Sequence, residues 1–468
     1  MKLNPDAHWS SALYKGLDSL QLKDGRDKVL LNRDDQAGFR LDTTFTHRQG
    51  KCITMENAPA LTTRTDFVNS YSSLLQTTSY LFMESDTTEK ACVGLVKPHF
   101  MFQKNPTQHF IDLEMLESKL PSHLGNRYIE CVRVDGATDE GPGHVEVQFL
   151  WTERHIEKRR ICTIVTSRHS GGSYLNEVEL MNGCIAKAHS NLYIPSTLTG
   201  NNYDSNGLNS GKLRENLDIA TDVYIDRVNG SACCGTTLQL YKGGQNEAIT
   251  ERRQSLLVFL KGKAKERMQL KESNPELFKY FENVWKVHEN HMNKDLPENY
   301  MFMLNLCFKP ECPHPLCVDK SVGRDAAWYE HGPLVSYIPV PMVDPKRPWG
   351  GKCQECTTFC TGHYMSPEEH QEFVREHGAT ELMYKPPSIV IRDQFYESMR
   401  AGGSVSDNEL EEVARKTLLS VEELKMHVEH LRITAERRKE GAKKAALTRK
   451  SKSTTTRKAN KKKKAESN

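Results

Sequence analysis

Two sets of side chains in this chain have the types and spacing to do chemistry. The first is acidic. Asp135 closes an apolar run, YIECVRV, and Glu179 lies 44 positions later, near the head of a segment with helical periodicity. Asp34 and Asp35 end a third apolar run, KVLLNRDD, close to the start of the chain. Carboxylates that converge from the tips of separate buried elements can hold two divalent cations about 3.5–4 Å apart, one for the attacking and one for the leaving oxygen of a phosphodiester. Mg2+ keeps several waters and takes only one or two protein carboxylates, so three acids suffice. Asp135 and Glu179 have that placement, and Asp34 is a candidate for the third acid, serving Mg2+ or Mn2+. Asp35 and Asp42 stay open as alternatives to Asp34, and Asp139 and Glu140 in the loop GATDEGPGH compete with Asp135.

The second set is thiol and imidazole. Cys307, Cys312, His314 and Cys317 form C-x4-C-x-H-x2-C, and Cys353, Cys356, Cys360 and His363 form C-x2-C-x3-C-x2-H. Zn2+ prefers four Cys/His ligands in a tetrahedron, so eight candidates predict two structural Zn2+ ions, one per cluster or interleaved. His331 is an alternative to His314, which stands only two positions from Cys312. Cys233 and Cys234 are adjacent and read as buried cysteines rather than as ligands.

The elements that must position these groups follow from periodicity. Lys28–Asn32 and Ile161–Thr166 read as short buried strands, and AGFRLDT as the second arm of a hairpin with the first. His144–His155 reads as a helix, with Val145, Phe149 and Thr152 on one face and a strand as the alternative. LNEVELMNGCIAKAHSNL is a helix with Val178, Met181 and Ile185 on one side, so of Glu177 and Glu179 at most one faces a sheet. Residues 251–300 are helical, with Leu277, Tyr280, Val284 and Val287 as a packing stripe.

The order strand–Asp135, helix, strand, glycine turn and then Leu175-Asn176-Glu177-Val178-Glu179 resembles the catalytic core of DDE transposases of the mariner superfamily, whose third acid commonly sits in Leu-Asn-Pro-x-Glu. Asp34-Asp35, followed by Phe39 and Leu41, is similar to that family's first-acid segment. Glu177 stands where the family usually has proline, Gly172-Ser173 replaces Ser-Pro, and Gly136 stands where asparagine is frequent. The resemblance covers residues 28–190. It implies an RNase H-like fold and metal-dependent hydrolysis and strand transfer at DNA phosphodiesters, with Asp34, Asp135 and Glu179 as ligands.

Toward the C-terminus, Ile391, Phe395 and Met399 make one helical stripe, Ser406 with Glu409 caps a second helix, and Ser420 with Glu423 caps a third. Leu410, Val413 and Ala414 of the second, and Leu424, Val428 and Leu431 of the third, point inward. The segment VARKTLLSVEELKMHVEHL resembles a homeodomain-like helix-turn-helix, with His427 in the place of the buried Trp and His430 in that of the base-reading Asn. His430, Arg432, Arg437, Arg438 and Lys439 are the expected nucleic-acid contacts. From Arg437 to Asn468 there are 14 Lys/Arg and 2 Asp/Glu, a local +12 that leaves −9 on residues 1–436 against a total of +3. A basic tail on an acidic body points to a polyanion, DNA foremost, and to the nucleus.

With 468 residues the chain has room for about three domains of roughly 150 residues. No apolar run of about 18 residues suggests a membrane span, no P-loop follows Gly141-Pro142-Gly143, and the N-terminus carries no signal-peptide core. The expected fold class is an α/β RNase H-like core, then a zinc-stabilised loop-rich module and a small three-helix C-terminal domain. The layout is a helical segment 1–27, the core 28–250, a helical connector 251–300, the zinc module 301–365, the helix-turn-helix 388–436 and a basic disordered tail 437–468. A second copy of the chain is an open expectation as partner. The alternative to an enzyme is a non-enzymatic, zinc-binding nuclear DNA-binding or chromatin-associated protein.

Overall fold

Three apolar runs, Ala91–Pro98, Ile129–Val134 and Cys162–Ser167, are buried along their whole length in the computed structural model, as strands covered on both faces must be. The structure describes residues 4–18, 28–45, 60–61, 73–84, 89–102, 104–125, 127–244, 247–294, 299–319, 341–343, 364–365, 367–377, 385–417 and 419–465. Among these, no helix is long and apolar enough to cross a membrane. The chain divides into two units, Leu20–Ile338 and a discontinuous one made of Met1–Ser19 with Pro339–Asn468.

The first unit is built on a nine-stranded mixed sheet. Its strands are β1 (Lys28–Asp35), β2 (Phe39–Arg40), β3 (Leu74–Phe82), β4 (Ala91–Pro98), β5 (Ile129–Val134), β6 (Cys162–Ser167), β7 (Ala232–Cys233), β8 (Thr236–Lys242) and β9 (Met301–Asn305). Across the sheet they run β7-β8-β4-β3-β1-β5-β6-β9, with β2 alongside β3. From the central β1, the pairings to β3 and on to β4 are antiparallel, while those to β5 and on to β6 are parallel. The parallel register sets Asn32 opposite Arg133. Two residues further on it brings Asp34 beside Asp135, at the carboxyl ends of neighbouring strands.

Four helices cover the two faces. On one, α1 (Pro106–Lys119) and α2 (Val145–Glu157) pack Leu113, Leu116, Val147 and Trp151 against Val29, Leu31, Val132 and Val165. On the other, α3 (Val178–Ala188) and α4 (Ser210–Val228) pack Val178, Met181, Ile185, Leu217 and Tyr224 against Leu81, Cys92 and Val96. Because side chains alternate along a strand, Asp34 and Asp35 belong to opposite faces.

Several expectations are corrected. Residues 36–40 do not turn back on β1: Gln36 donates to Thr77 O, and β2 pairs with β3, so no hairpin forms. The connector 251–300 is part of the sheet unit. Its helices α5 (Glu247–Lys261), α6 (Ala264–Ser273) and α7 (Pro275–His291) are joined to α2 by a cluster of Phe149, Leu150, Leu256, Phe259, Phe278, Phe281 and Val284. The buried stripe of α7 runs through Phe278 and Phe281 rather than Leu277 and Tyr280, since the Tyr280 hydroxyl turns outward to donate to Glu153 at 2.5 Å. The region expected as a separate zinc module begins with β9, which pairs antiparallel with β6 and closes the sheet edge.

In the second unit, α8 (Pro387–Ala401), α9 (Asp407–Thr417) and α10 (Val421–Ala465) pack Ile391, Phe395, Met399, Leu410, Val413, Ala414, Leu424 and Val428 together. Ser406–Glu409 and Ser420–Glu423 form reciprocal capping boxes at the heads of α9 and α10. The helix Ala7–Asp18 belongs here too: Asp6, 1% exposed, accepts from Ser388 N at 2.7 Å and from Ser388 Oγ at 2.5 Å, capping α8 from the other end of the chain. The segment after Arg437 is helical and continues α10 to Ala465. Its Ala, Lys, Arg and Glu are strong helix formers.

Candidate metal centres

The first centre lies at the carboxyl ends of β1 and β5. Asp34, Asp135 and Glu140 each offer a carboxylate oxygen, and these atoms all lie within 4.8 Å of one another. Asp34 takes an N–H from Asp35 on Oδ1 at 2.8 Å and the Asn182 amide on Oδ2 at 3.0 Å. Asp135 accepts from Gly136 N at 2.9 Å. Asn182 is itself fixed, accepting from Ser79 Oγ at 2.6 Å and, on its carbonyl, from Gln36 at 3.3 Å. This clamp docks α3 across the end of β1, and Glu179 lies on the same helix face as Asn182, three residues earlier.

Burial and the charges of Glu179, Asp35 and Asp135 push the Asp34 carboxyl up to about 8. Glu179 is the strongest of those charges, so it belongs to the same electrostatic site although it is not within the tight triplet. Burial and the carboxylates of Asp35, Asp34 and Asp139 push Glu140 up as well, against the pull of Arg33, whose Nε donates to Glu140 at 3.2 Å in a fully buried pair. Four acids with one buried guanidinium between them are short of positive charge, which a divalent cation would supply.

Behind β1 the opposite holds. Asp35 accepts from Thr78 Oγ1 at 2.6 Å and pairs with Lys104 Nζ at 3.1 Å. Lys104 also lies 3.6 Å from Asp139, which meets His109 Nε2 at 3.2 Å. Burial raises the Asp35 carboxyl, but His109, Lys104, Lys97 and the Thr78 hydroxyl outweigh it and hold it well below the usual carboxylate range. Asp139 is likewise held down, against its burial, by His109 and Lys104. Asp42 is occupied elsewhere, accepting from Ser196 N at 2.7 Å. Periodicity leaves Asp34, Asp35 and Asp42 open; the structure gathers Asp34 with Asp135 and Glu140, and Glu179 stands outside that triplet, acting on Asp34 through its charge.

The second centre joins the end of α7 to the segment after β9. His291, Cys307, Cys312 and Cys317 bring their ligand atoms within 4.8 Å of one another. Cys307 and Cys317 Sγ are 3.8 Å apart, and His291 Nε2 is 3.2 Å from Cys312 Sγ and 3.3 Å from Cys317 Sγ. A tetrahedron with metal–sulfur bonds of about 2.3 Å has S–S edges of about 3.8 Å. These donors can therefore hold a metal ion such as zinc. His314 is not among them: Leu316 N donates to its Nδ1 at 3.2 Å and its Nε2 meets His155 O at 3.1 Å, so both nitrogens are used. His291 replaces it. Behind His291, Nδ1 meets His155 Nε2 at 3.2 Å, and His155 Nδ1 meets Thr163 Oγ1 at 3.0 Å. Burial, then His314 and His291, keeps the His155 ring far below its ordinary value, hence neutral. That chain orients the His291 ring, as outer partners of metal-bound histidines do. Cys353, Cys356, Cys360 and His363, with the alternative His331, lie outside the described residues.

The expected nucleic-acid residues share α10. His430, Arg432, Arg437, Arg438 and Lys439 are all exposed. Arg432 is engaged by Glu429 at 2.6 Å and Glu436 at 2.7 Å, and Arg438 reaches the Tyr396 hydroxyl of α8 at 3.3 Å. His430, Arg437 and Lys439 thus present the open polar surface of the helix. No protein-family model, no curated protein and no solved structure matches the chain.

Proposed function

We propose that the chain is a DDE transposase-like enzyme, related to the mariner superfamily, that hydrolyses and transfers DNA phosphodiester strands with two divalent cations, Mg2+ or Mn2+. The observation that carries this reading is the register of β1 and β5. It sets Asp34 beside Asp135 at the sheet's carboxyl edge, where α3, pinned by Asn182, brings the charge of Glu179 to bear. The order β4-β3-β1-β5-β6, with the first acid on the central strand and the second on its parallel neighbour, supports an RNase H-like core.

Bound divalent ions would supply charge neutralisation at the phosphate and activation of the attacking oxygen. The chain's own part is positioning. The Gly136 N–H holds one oxygen of Asp135, while the Asp35 N–H and the Asn182 amide hold the two oxygens of Asp34, so that both carboxylates are oriented at the strand ends. Arg33 restrains Glu140 at the edge of the cluster. The Cys307–Cys317 centre is proposed as a structural zinc site, because all four positions of the tetrahedron are filled by protein donors, with a second zinc on Cys353, Cys356, Cys360 and His363. The helical unit is proposed as a homeodomain-like reader of DNA in the nucleus.

The test is nicking and strand transfer of an end-labelled DNA duplex with Mn2+, Mg2+ or a chelator. Metal-dependent products that vanish in both Asp34→Asn and Asp135→Asn are expected. Nicking that survives both substitutions would reject the site, and DNA binding without any metal-dependent product would favour the non-enzymatic reading.

A further inference from the structure

Four cysteines outside both centres meet on the α3 face of the sheet. Cys92 lies on β4, Cys184 on α3, and Cys233 and Cys234 at the tip of the β7–β8 hairpin. The ligand atoms of Cys92, Cys233 and Cys234 all lie within 4.8 Å of one another, and the Cys233 and Cys234 sulfurs are 3.8 Å apart. That separation equals the Cys307–Cys317 separation in the zinc-suited centre. Cys184 lies beside the group, its thiol interacting with that of Cys234, although it is outside the triplet whose sulfurs all lie within 4.8 Å.

Adjacent cysteines ordinarily point to opposite sides of an extended chain and make poor joint ligands. Here the backbone removes that obstacle. Cys233 pairs with Thr236, so Cys234 and Gly235 form a two-residue hairpin loop, and both have positive φ, 49° and 86°. Such a loop prefers Asn-Gly, and a cysteine in its first position is conformationally strained. The strained residue is the one that turns the second sulfur toward the first.

We propose that Cys92, Cys184, Cys233 and Cys234 form an additional thiolate metal site that takes Zn2+ or another thiophilic d10 ion. Bound there, the ion ties α3, the helix that carries Glu179 and Asn182, to β4 and to the β7–β8 hairpin.

The test is metal content and Co2+ substitution in the full chain, purified under reducing conditions. Cys233→Ser/Cys234→Ser is expected to lose one zinc equivalent, and Cys307→Ser/Cys312→Ser a different one, so that the losses add in the combined variant. The thiolate-to-Co2+ charge-transfer absorption should fall in each. Cys184→Ala, at the half-buried edge of the group, removes one ligand with little packing loss. It is expected to release its zinc to a chromogenic chelator at least about tenfold faster, and it decides the matter if the double variant does not fold. Unchanged zinc content and Co2+ spectrum in a Cys233→Ser/Cys234→Ser chain with native circular dichroism would overturn the proposal. So would a wild-type chain whose entire zinc content disappears with the other cysteine clusters.

Discussion

Asp34 and Asp35 are neighbours on one strand, yet their surroundings are opposite. Asp35 is enclosed by Thr78, Lys104 and the His109–Asp139 pair, and its charge is fully answered by the protein. Asp34 is surrounded by Asp135, Glu140 and Glu179, and its carboxyl is pushed up to about 8. The pleat of β1 sends one to each face, so a single strand end carries a finished ion-pair network and an unfinished one. What separates a structural acid from a catalytic candidate here is that Asp35 is met directly by Lys104, whereas Asp34 is met by other acids and by the neutral Asn182 amide. Residue type does not distinguish them.

The sharpest way to break this contrast is to neutralise each aspartate in turn. Asp34→Asn should reduce metal-dependent DNA cleavage at least about a thousandfold, since the ions act through several kcal/mol of charge stabilisation. Asp35→Asn should leave cleavage per folded molecule within about tenfold and instead lower stability by about 1–3 kcal/mol in urea unfolding. Its cost lies toward the lower end because Lys104 is 36% exposed. If both substitutions reduce metal-dependent cleavage equally, the division between the faces is wrong.

Next in size is Glu140→Gln. It leaves Arg33, 1% exposed, without its partner and should cost about 3–5 kcal/mol of folding stability, more than Asp35→Asn. Replacing Arg33 with Met in the same chain should recover much of that loss. Equal stability of Glu140→Gln and wild type would remove Arg33 from the account of how the acidic loop is held.

pH sharpens the comparison further. A carboxyl raised in the folded state holds a proton that the unfolded chain has released, so between about pH 4 and about pH 8 the Asp34 contribution makes stability fall as pH rises. A divalent ion displaces that proton. The gain in melting temperature on adding Mn2+ should therefore be larger near pH 8.5 than near pH 6, and Asp34→Asn should abolish the difference. Asp35, held down, contributes with the other sign, its stabilisation being lost only as pH falls below the usual carboxylate range. An Mn2+ effect independent of pH would contradict the crowding at Asp34.

The same division between answered and unanswered groups separates His314 from His291. His314→Ala should retain zinc and cost about 1 kcal/mol for its lost hydrogen bonds. His291→Ala should release the ion, as read by elemental analysis of the two purified variants.

Much of this was legible from residues alone. Apolar runs ending on Asp34 and Asp135 gave the strand tips, and the periodicity through Val178, Met181 and Ile185 gave the face of α3. The capping boxes at Ser406 and Ser420 gave the helix starts of the second unit. Glu140 was ambiguous because a loop such as GATDEGPGH has no period to say which acid turns inward. His291 was missed because it stands sixteen positions before Cys307, at the end of a helix whose stripe already explained it as packing. The signal that could have found it is proximity in the fold, since β9 returns the chain to the end of α7. Lys104, which pairs with Asp35, and His109 beside it come from the loop before α1 and from its head, so no local pattern links them to β1.

Asp6 capping α8 through Ser388 has a consequence for biosynthesis. The helical unit is assembled from the first and last stretches of the chain, with the whole sheet unit inserted between them. A ribosome delivers residues in order, and domains fold as units as they emerge. The sheet unit can therefore fold on a nascent chain while the helix Ala7–Asp18 waits without its partners, and the helical unit closes only after α8, α9 and the head of α10 have emerged. A chain stalled before Ser388 should show a protease-resistant sheet unit and a cleavable N-terminal helix. Only chains that extend past α10 would then carry both the carboxylate centre and a closed helical unit.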